Sequence, residues 1–278
     1  MSSVRDFVRR LAKNRSAMIG VAILSVVVVL AASAPVVFPG SPFRRVDRPF
    51  QPPFGQWVFG TDVLGRDVAA GLAHGARTSL LIGLLATSVA VVVGTVIGGL
   101  AGYHGGRVDD VLMRATEFFQ TIPTFLFAII LVAILAPSIR SIVIAIAVVS
   151  WPAVARLVRG EFLALRHREF VHACIGLGMS DGRVIFRHVL PNCLSPIIVT
   201  GSLTVATAIL IESALSFLGL GDPNVMSWGF MIGSGRTFLR SAWWLCTIPG
   251  MAILLTVLAI NLLGEGLNDT LNPRLRNS

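Results

Sequence analysis

Long apolar runs, separated by short polar segments, dominate this chain. Four of them contain no charged residue and are long enough to cross a hydrocarbon core of roughly 30 Å as helices: 17–38, 78–102, 118–136 and 241–264. Two further runs are less clean, because 141–155 is short and 194–218 contains Glu212. The pattern predicts an all-α, polytopic membrane protein with six transmembrane helices.

A charged segment, residues 162–191, interrupts the apolar pattern between the fourth and fifth runs. Four apolar residues in it follow the helical i, i+3, i+4, i+7 spacing and predict one stripe: Phe170, Ala173, Cys174 and Leu177. Gly178 is expected to end this helix, and Ser180 to cap a second short helix that Pro191 closes. A membrane protein that holds an amphipathic helix in water offers it to a soluble partner.

Composition and charge agree with a membrane setting. Apolar residues make up 54% of the chain and charged residues 13%, and the mean hydropathy is +0.79. The net charge is +9, and most basic residues, from Arg5 to Arg274, fall before the first run, after the last, or in segments on the same side as 162–191. This positive-inside bias places both termini and that segment in the cytoplasm. The basic excess is an orientation signal, so no nucleic-acid partner is expected.

The segment 39–75 is expected to lie on the outer side without a long helix, because five prolines interrupt it. It is either a connector pressed onto the outer surface or a lid or docking surface at a pore mouth. Thr61 or Asp62 is expected to cap a short interfacial helix that carries Asp67 in its first turn and feeds the second span. Together with positions from later segments, the candidate residues at the outer end are Asp62, Arg66, Asp67, Arg77, Glu212, Trp228 and Arg236.

Glu212 is the one acid well inside an apolar run, close to the outer interface by helical rise. Two interpretations stay open for it: a structural ion pair with an outer arginine such as Arg77, Arg236 or Arg240, or a role in substrate binding or gating. Trp228 is expected in the interfacial aromatic belt, with Trp243 and Trp244.

Helix packing also leaves marks in the sequence. Gly94, Gly98 and Gly102 recur every four residues and predict a close approach of another helix to the second span. Pro123 and Pro152 predict kinks in the third and fourth spans, made either for packing or to line a cavity.

Catalytic chemistry is absent from the motifs. The five histidines do not join cysteines or acids at metal-ligand spacing, and no hydrolase or nucleotide-binding motif occurs. No catalytic residue, metal site or enzyme activity is therefore expected. An ion-gradient-driven carrier is the alternative function, although Glu212 alone supports it weakly, and a non-transporting scaffold is a third.

Four segments carry a resemblance to a known family. Residues 169–192, EFVHACIGLGMSDGRVIFRHVLPN, resemble the EAA loop of binding-protein-dependent ABC importer permeases. Residues 60–80 (GTDVLGRDVAAGLAHGARTSL), 212–221 (ESALSFLGLG) and a tail ending in NLLGEGLNDTLNPRLR are similar to the C-type permease subunit of the oligopeptide/dipeptide subfamily. The resemblance covers nearly the whole chain.

The resemblance implies a type I ABC importer permease fold in the bacterial cytoplasmic membrane. Residues 1–75 would hold the cytoplasmic N-terminus, the first transmembrane helix and the outer segment, and 76–278 a five-helix core with a coupling loop at 159–193. The implied partners are a homologous permease in a heterodimer, two ATPase subunits that hold ATP and magnesium, an extracytoplasmic substrate-binding protein, and membrane lipid. No cofactor is expected on this chain itself.

The resemblance also assigns a coupling helix that docks on the ATPase, with seven residues: Glu169, Phe170, His172, Ala173, Cys174, Leu177 and Gly178. Where the family pattern has glutamate, alanine, alanine, this chain has His172, Ala173 and Cys174, so the glutamate of the motif is replaced by histidine. Both residue types fit on a helix, so the docking interpretation is unchanged.

Overall fold

The computed structural model describes residue 9 and residues 11–271. Arg5 and Arg274, which contributed to the predicted orientation, lie outside this range. Ten α-helices are named here in chain order: α1 Arg15–Val37, α2 Val68–His104, α3 Gly106–Thr121, α4 Thr124–Leu135, α5 Ile139–Arg166, α6 Glu169–Gly176, α7 Asp181–Val184, α8 Leu190–Phe217, α9 Trp228–Gly235 and α10 Trp244–Leu271. A π-helical turn, Ile185–Val189, joins α7 to α8, and a 3₁₀ turn, Arg236–Phe238, follows α9. The prediction of an all-α membrane protein is confirmed.

Within the described residues, five helices are long and apolar enough to cross a membrane, and the bent pair α3 and α4 makes a sixth if it counts as one span. The kink predicted at Pro123 is present in this pair, and it is sharp, because the two helices meet at an angle of 84°. Pro123 stands at the break and Ile122 before it is extended, with φ −86° and ψ 128°. A residue before proline avoids the helical region, which accounts for the break.

The glycine repeat of α2 packs against α5, as its spacing predicted. A Cβ added at Gly94 would lie 2.6 Å from the Cβ of Val154, and one added at Gly98 would overlap the carbonyl oxygen of Ala155. A Cβ added at Gly102 would lie 2.7 Å from the carbonyl oxygen of Arg159. From Gly94 to Gly102 on α2, the contacted residues on α5 advance from Val154 to Arg159. The two helices therefore run parallel, with their backbones in contact.

The first and last helices are neighbours, and their chain-terminal ends lie at the same end of the bundle. Asn14 Nδ2 donates a hydrogen bond of 3.2 Å to Asp269 Oδ2. Gly20 lies so close to α10 that an added Cβ would be 2.7 Å from the carbonyl oxygen of Ala259.

The short helix α6 lies at this same end. His74 Nε2 is 3.1 Å from the carbonyl oxygen of Phe38, so α2 begins beside the end of α1 and returns toward Asn14. At the far end of α2, the Tyr103 hydroxyl donates a 2.9 Å hydrogen bond to Asp181, the first residue of α7, which is the next helix after α6. We call this the α6 end, and the end that carries residues 38–67 the opposite end.

Two local expectations were wrong. No separate interfacial helix precedes the second span, because Asp67 itself caps α2 by accepting a 2.9 Å hydrogen bond from the backbone N–H of Ala69. Nor does Pro191 close a second short helix, since Asp181–Phe217 is one continuous helix of 37 residues. Proline would clash with the carbonyl four residues earlier in a regular helix, and the wide π turn before Pro191 relieves that clash.

Candidate functional site

Helix α6 ends in a Schellman motif. Gly178 adopts φ +75°, a conformation that suits glycine. The N–H of Gly178 donates to the carbonyl of Ile175 at 2.9 Å, and the N–H of Met179 donates to the carbonyl of Cys174 at 3.2 Å. The predicted stop at Gly178 is therefore confirmed, and it fixes where Leu177 lies.

The two faces of α6 have different surroundings. Val171 and Cys174 are buried in a cluster with residues of α2, α5 and α8. Phe170 is 40% exposed and Leu177 is 77% exposed, and Ala173 is exposed between them. The predicted stripe was thus wrong at Cys174, because that side chain faces the bundle and only the other three apolar residues face outward.

The polar candidates of α6 surround this apolar face. Glu169 is exposed in the first turn of the helix, where its negative charge interacts favourably with the positive end of the helix dipole. His172, the residue that departs from the family pattern, is also exposed. The arrangement is a small apolar patch with a polar rim, typical of a surface that another protein covers.

At the opposite end, Glu212 is 1% exposed in the last turns of α8. Its carboxylate accepts hydrogen bonds from the hydroxyls of Ser216 and Ser227, each at 2.8 Å, and of Ser79 at 3.3 Å. Ser213 Oγ lies 3.5 Å away. Because Ser79 is on α2 and Ser227 caps α9, this one carboxylate joins three helices through neutral donors.

The expected ion pair at Glu212 is wrong. Arg77 is exposed, and the guanidinium of Arg236 donates to the carbonyl of Phe217 and lies 5.1 Å from the centre of its ring. Neither Arg236 nor Arg240 forms a salt bridge with Glu212 in the part of the chain that is described. The substrate or gating role of Glu212 stays a prediction.

Trp228 is fully buried, so the expectation that it belongs to an interfacial belt is wrong. Its indole N–H donates to the carbonyl of Leu72 at 3.0 Å, and its backbone N–H donates to Ser79 Oγ at 3.3 Å. Trp244 is buried too, whereas Trp243 is exposed. Trp228 is thus a packing residue that fixes the start of α9 against α2.

The remaining outer candidates form a turn before α2. Asp62 accepts from the backbone N–H groups of Leu64 and Arg66, each at 2.8 Å, and its carboxylate lies 3.9 Å from Arg66 Nε. The Arg66 guanidinium lies 4.8 Å from the centre of the Phe43 ring. Burial raises the pKa of Asp67, against the lowering effect of its helix-capping hydrogen bond.

The outer segment is pinned to the bundle. Thr61 is buried, its hydroxyl donates to the carbonyl of Arg48 at 2.7 Å, and its own carbonyl accepts from Trp244 Nε1 at 3.3 Å. Phe50 packs against Phe238 with ring centres 5.0 Å apart. Phe54 protrudes from the same segment and is 81% exposed. The segment is thus a packed connector with an exposed apolar tip.

Within the described residues, 9 and 11–271, no set of three His, Cys, Asp or Glu side chains is placed to hold a metal ion. Cys174, Cys193 and Cys246 are free thiols.

Two known family profiles match this chain. The profile of a family described as binding-protein-dependent transport system inner membrane component matches residues 94–277, which include α6 and all of α8. The chain belongs to this family. A second profile, described as the N-terminal TM domain of oligopeptide transport permease C, matches residues 2–53 of this permease. The sequence-based assignment to the C-type permeases is confirmed.

Several curated relatives resemble this permease over nearly its full length. The dipeptide transport system permease protein DppC of Alkalihalophilus pseudofirmus is 40% identical over 99% of this chain and 91% of its own length. The protein of the same name in Bacillus subtilis is 41% identical, over 99% of this chain and 87% of its own. The oligopeptide transport system permease protein OppC of Bacillus subtilis is 36% identical over 99% and 91%.

Sequence reasoning missed several residues of this permease that organise the two ends. Ser79 and Ser227 surround Glu212, but they stand 133 and 15 positions away from it. Val171 anchors α6, and it fell outside the predicted stripe. A buried acid in an apolar run signals that donors must exist. Nothing in the sequence says which serines supply them.

Proposed function

We propose that this chain is one of two membrane-embedded permease subunits of an ATP-driven importer for peptides in the bacterial cytoplasmic membrane. The names of its relatives, which are dipeptide and oligopeptide permeases, support the peptide substrate. A homologous permease completes the heterodimer, and two ATPase subunits bind ATP and magnesium. This chain binds neither, and it hydrolyses no ATP.

The observation that carries the proposal is the outward-facing patch of α6. Phe170, Ala173 and Leu177 expose apolar surface at the end of the bundle, on a helix rigidly capped at Gly178. Burying Phe170 and Leu177 on a partner would contribute about 2–3 kcal/mol. The partner is the ATPase, and Glu169 and His172 contact its surface at the rim of the patch.

The orientation follows from charge. The basic residues near α6 and at both termini support a cytoplasmic location of the α6 end, where ATP is available. Closure of the ATPase pair then moves α6, and the helices attached to it change access from one side of the membrane to the other.

The opposite end receives substrate from an extracytoplasmic binding protein. Residues 38–67 and α9 form the surface on which that protein docks, with Phe54 as an apolar contact.

The chain divides into two parts. Residues 1–75 supply the cytoplasmic N-terminus, the first transmembrane helix and the outer segment, and residues 76–278 supply the five-helix core with its coupling loop at 159–193.

Uptake by reconstituted vesicles tests this function. The complete importer, with its binding protein, is expected to accumulate a labelled dipeptide or tripeptide only when ATP is supplied on the ATPase side, and ionophores that dissipate proton and sodium gradients should leave uptake intact. An ATPase variant that binds but does not hydrolyse ATP is the control and should abolish accumulation. Uptake that needs an ion gradient and continues without ATP would instead establish a secondary carrier.

A further inference from the structure

Tyr103 is the one tyrosine in the chain, and it connects α2 to the segment that follows α6. It lies in the last turn of α2 and is only 6% exposed. Its hydroxyl donates a hydrogen bond of 2.9 Å to Asp181 Oδ1. Asp181 is 78 positions further along the chain and opens α7, three residues after Gly178. The hydroxyl at the end of the spanning helix α2 thus fixes the position of the segment that follows α6.

The ring of Tyr103 belongs to the same apolar cluster as the buried face of α6. That cluster contains Val171 and Cys174 of α6, Phe162 of α5 and Val184 of α7. Aromatic side chains that combine a buried ring with a satisfied hydroxyl are held in one orientation. Tyr103 therefore touches the docking segment through both its ring and its hydroxyl.

Helix α2 has no direct covalent connection to the segment that contains α6. The chain enters α6 from α5 and leaves it toward α8, so neither terminus of α6 is continuous with α2. Among the described residues, a second side-chain hydrogen bond connects this region to the end of α2: Arg166 donates to the carbonyl of His104 at 3.1 Å. That bond leaves from α5, before α6 begins. The Tyr103–Asp181 bond is the link made after α6.

We propose that Tyr103 is a positioning residue for energy coupling, an inference that rests on the proposed function. Its bond to Asp181 makes α2 move together with α6 when the ATPase pulls on the coupling helix. Since α2 packs on α5 at backbone contact through Gly94, Gly98 and Gly102, the displaced unit then includes α2, α5 and α6. Without the hydroxyl, movement of α6 deforms residues 169–181 but does not displace α2. ATP is then hydrolysed with little transport.

The test is the number of peptides imported per ATP hydrolysed by the complete importer in vesicles. Tyr103→Phe removes only the hydroxyl, and it should lower this ratio about fivefold or more while ATPase subunits still co-purify in normal amounts. Asp181→Ala should have the same effect, and the double variant should be no worse than either single one, because both remove one shared bond. Asp181→Asn keeps an acceptor oxygen and should largely preserve the ratio.

A matched control breaks another inter-helix bond at the same end. Asp269→Ala removes the acceptor of Asn14 Nδ2, which joins α1 to α10 away from α6, and the ratio should not change. An unaltered ratio in Tyr103→Phe would overturn the proposal, and so would loss of ATPase co-purification in that variant, which would indicate a role in docking. If the unaltered chain recruits no ATPase, the proposed function itself fails, and the coupling role of Tyr103 fails with it.

Discussion

Gly178→Val is expected to lower uptake roughly tenfold or more while the chain still inserts into the membrane. Gly178 has φ +75°, where a β-branched residue is disfavoured by more than the ~1–2 kcal/mol typical of other side chains. The Schellman bonds to Ile175 and Cys174 would open. The last turn of α6 would unwind, and Leu177 would leave the surface that we propose docks on the ATPase.

Two variants separate this strain from the effect of added volume. Gly178→Asn should retain most uptake, because asparagine tolerates positive φ. Gly182→Val places the same side chain in open space close by, at a glycine without positive φ, and should also transport. Uptake per inserted chain and co-purification of the ATPase are the readouts. Normal values of both for Gly178→Val would remove the basis for assigning α6 as the coupling helix.

The second large effect concerns the contact between α2 and α5. Gly98→Ala adds a methyl group that overlaps the backbone carbonyl of Ala155, and neither helix can yield without disrupting its neighbours. We expect destabilisation of about 3 kcal/mol or more. The yield of folded protein and the unfolding temperature in detergent should both fall.

The control for this variant lies on the facing helix. Gly160 is in α5, and an added Cβ there meets nothing within 4 Å. Gly160→Ala should therefore leave stability unchanged or raise it by up to about 1 kcal/mol through better helix propensity. Equal unfolding temperatures for Gly98→Ala and Gly160→Ala would show that the close approach of α2 and α5 does not determine stability.

Much of the fold could be predicted because its elements depend on local pattern. Apolar runs identify spans whatever their neighbours are. The repeat at Gly94, Gly98 and Gly102 predicted a close helix approach, although it could not name α5 as the partner. Pro123 was identified as a kink site. The 84° angle at the break of α3 and α4 depends on how α4 packs against α5, which no local pattern contains.

The candidate sites were harder to predict, because burial is decided by distant residues. Apolar spacing placed Cys174 on the exposed stripe, yet the cluster built by other helices covers it. Tryptophan is the residue type expected of an interfacial anchor, but Trp228 is buried in a cluster with residues of α2 and α8. Glu212 was recognised as unusual, while its neutral partners come from three separate segments. In each case the residue type could be interpreted from the sequence, but the residues that surround it could not be predicted.

The central claim is that the exposed face of α6 binds the ATPase. A photo-crosslinking amino acid placed at Leu177, which is 77% exposed, tests it in the assembled importer. The control position is Phe54, which is 81% exposed at the opposite end. The account predicts a crosslink from position 177 to the ATPase subunit and none to it from position 54. An importer that transports and hydrolyses ATP while position 177 crosslinks only within this chain would contradict the account.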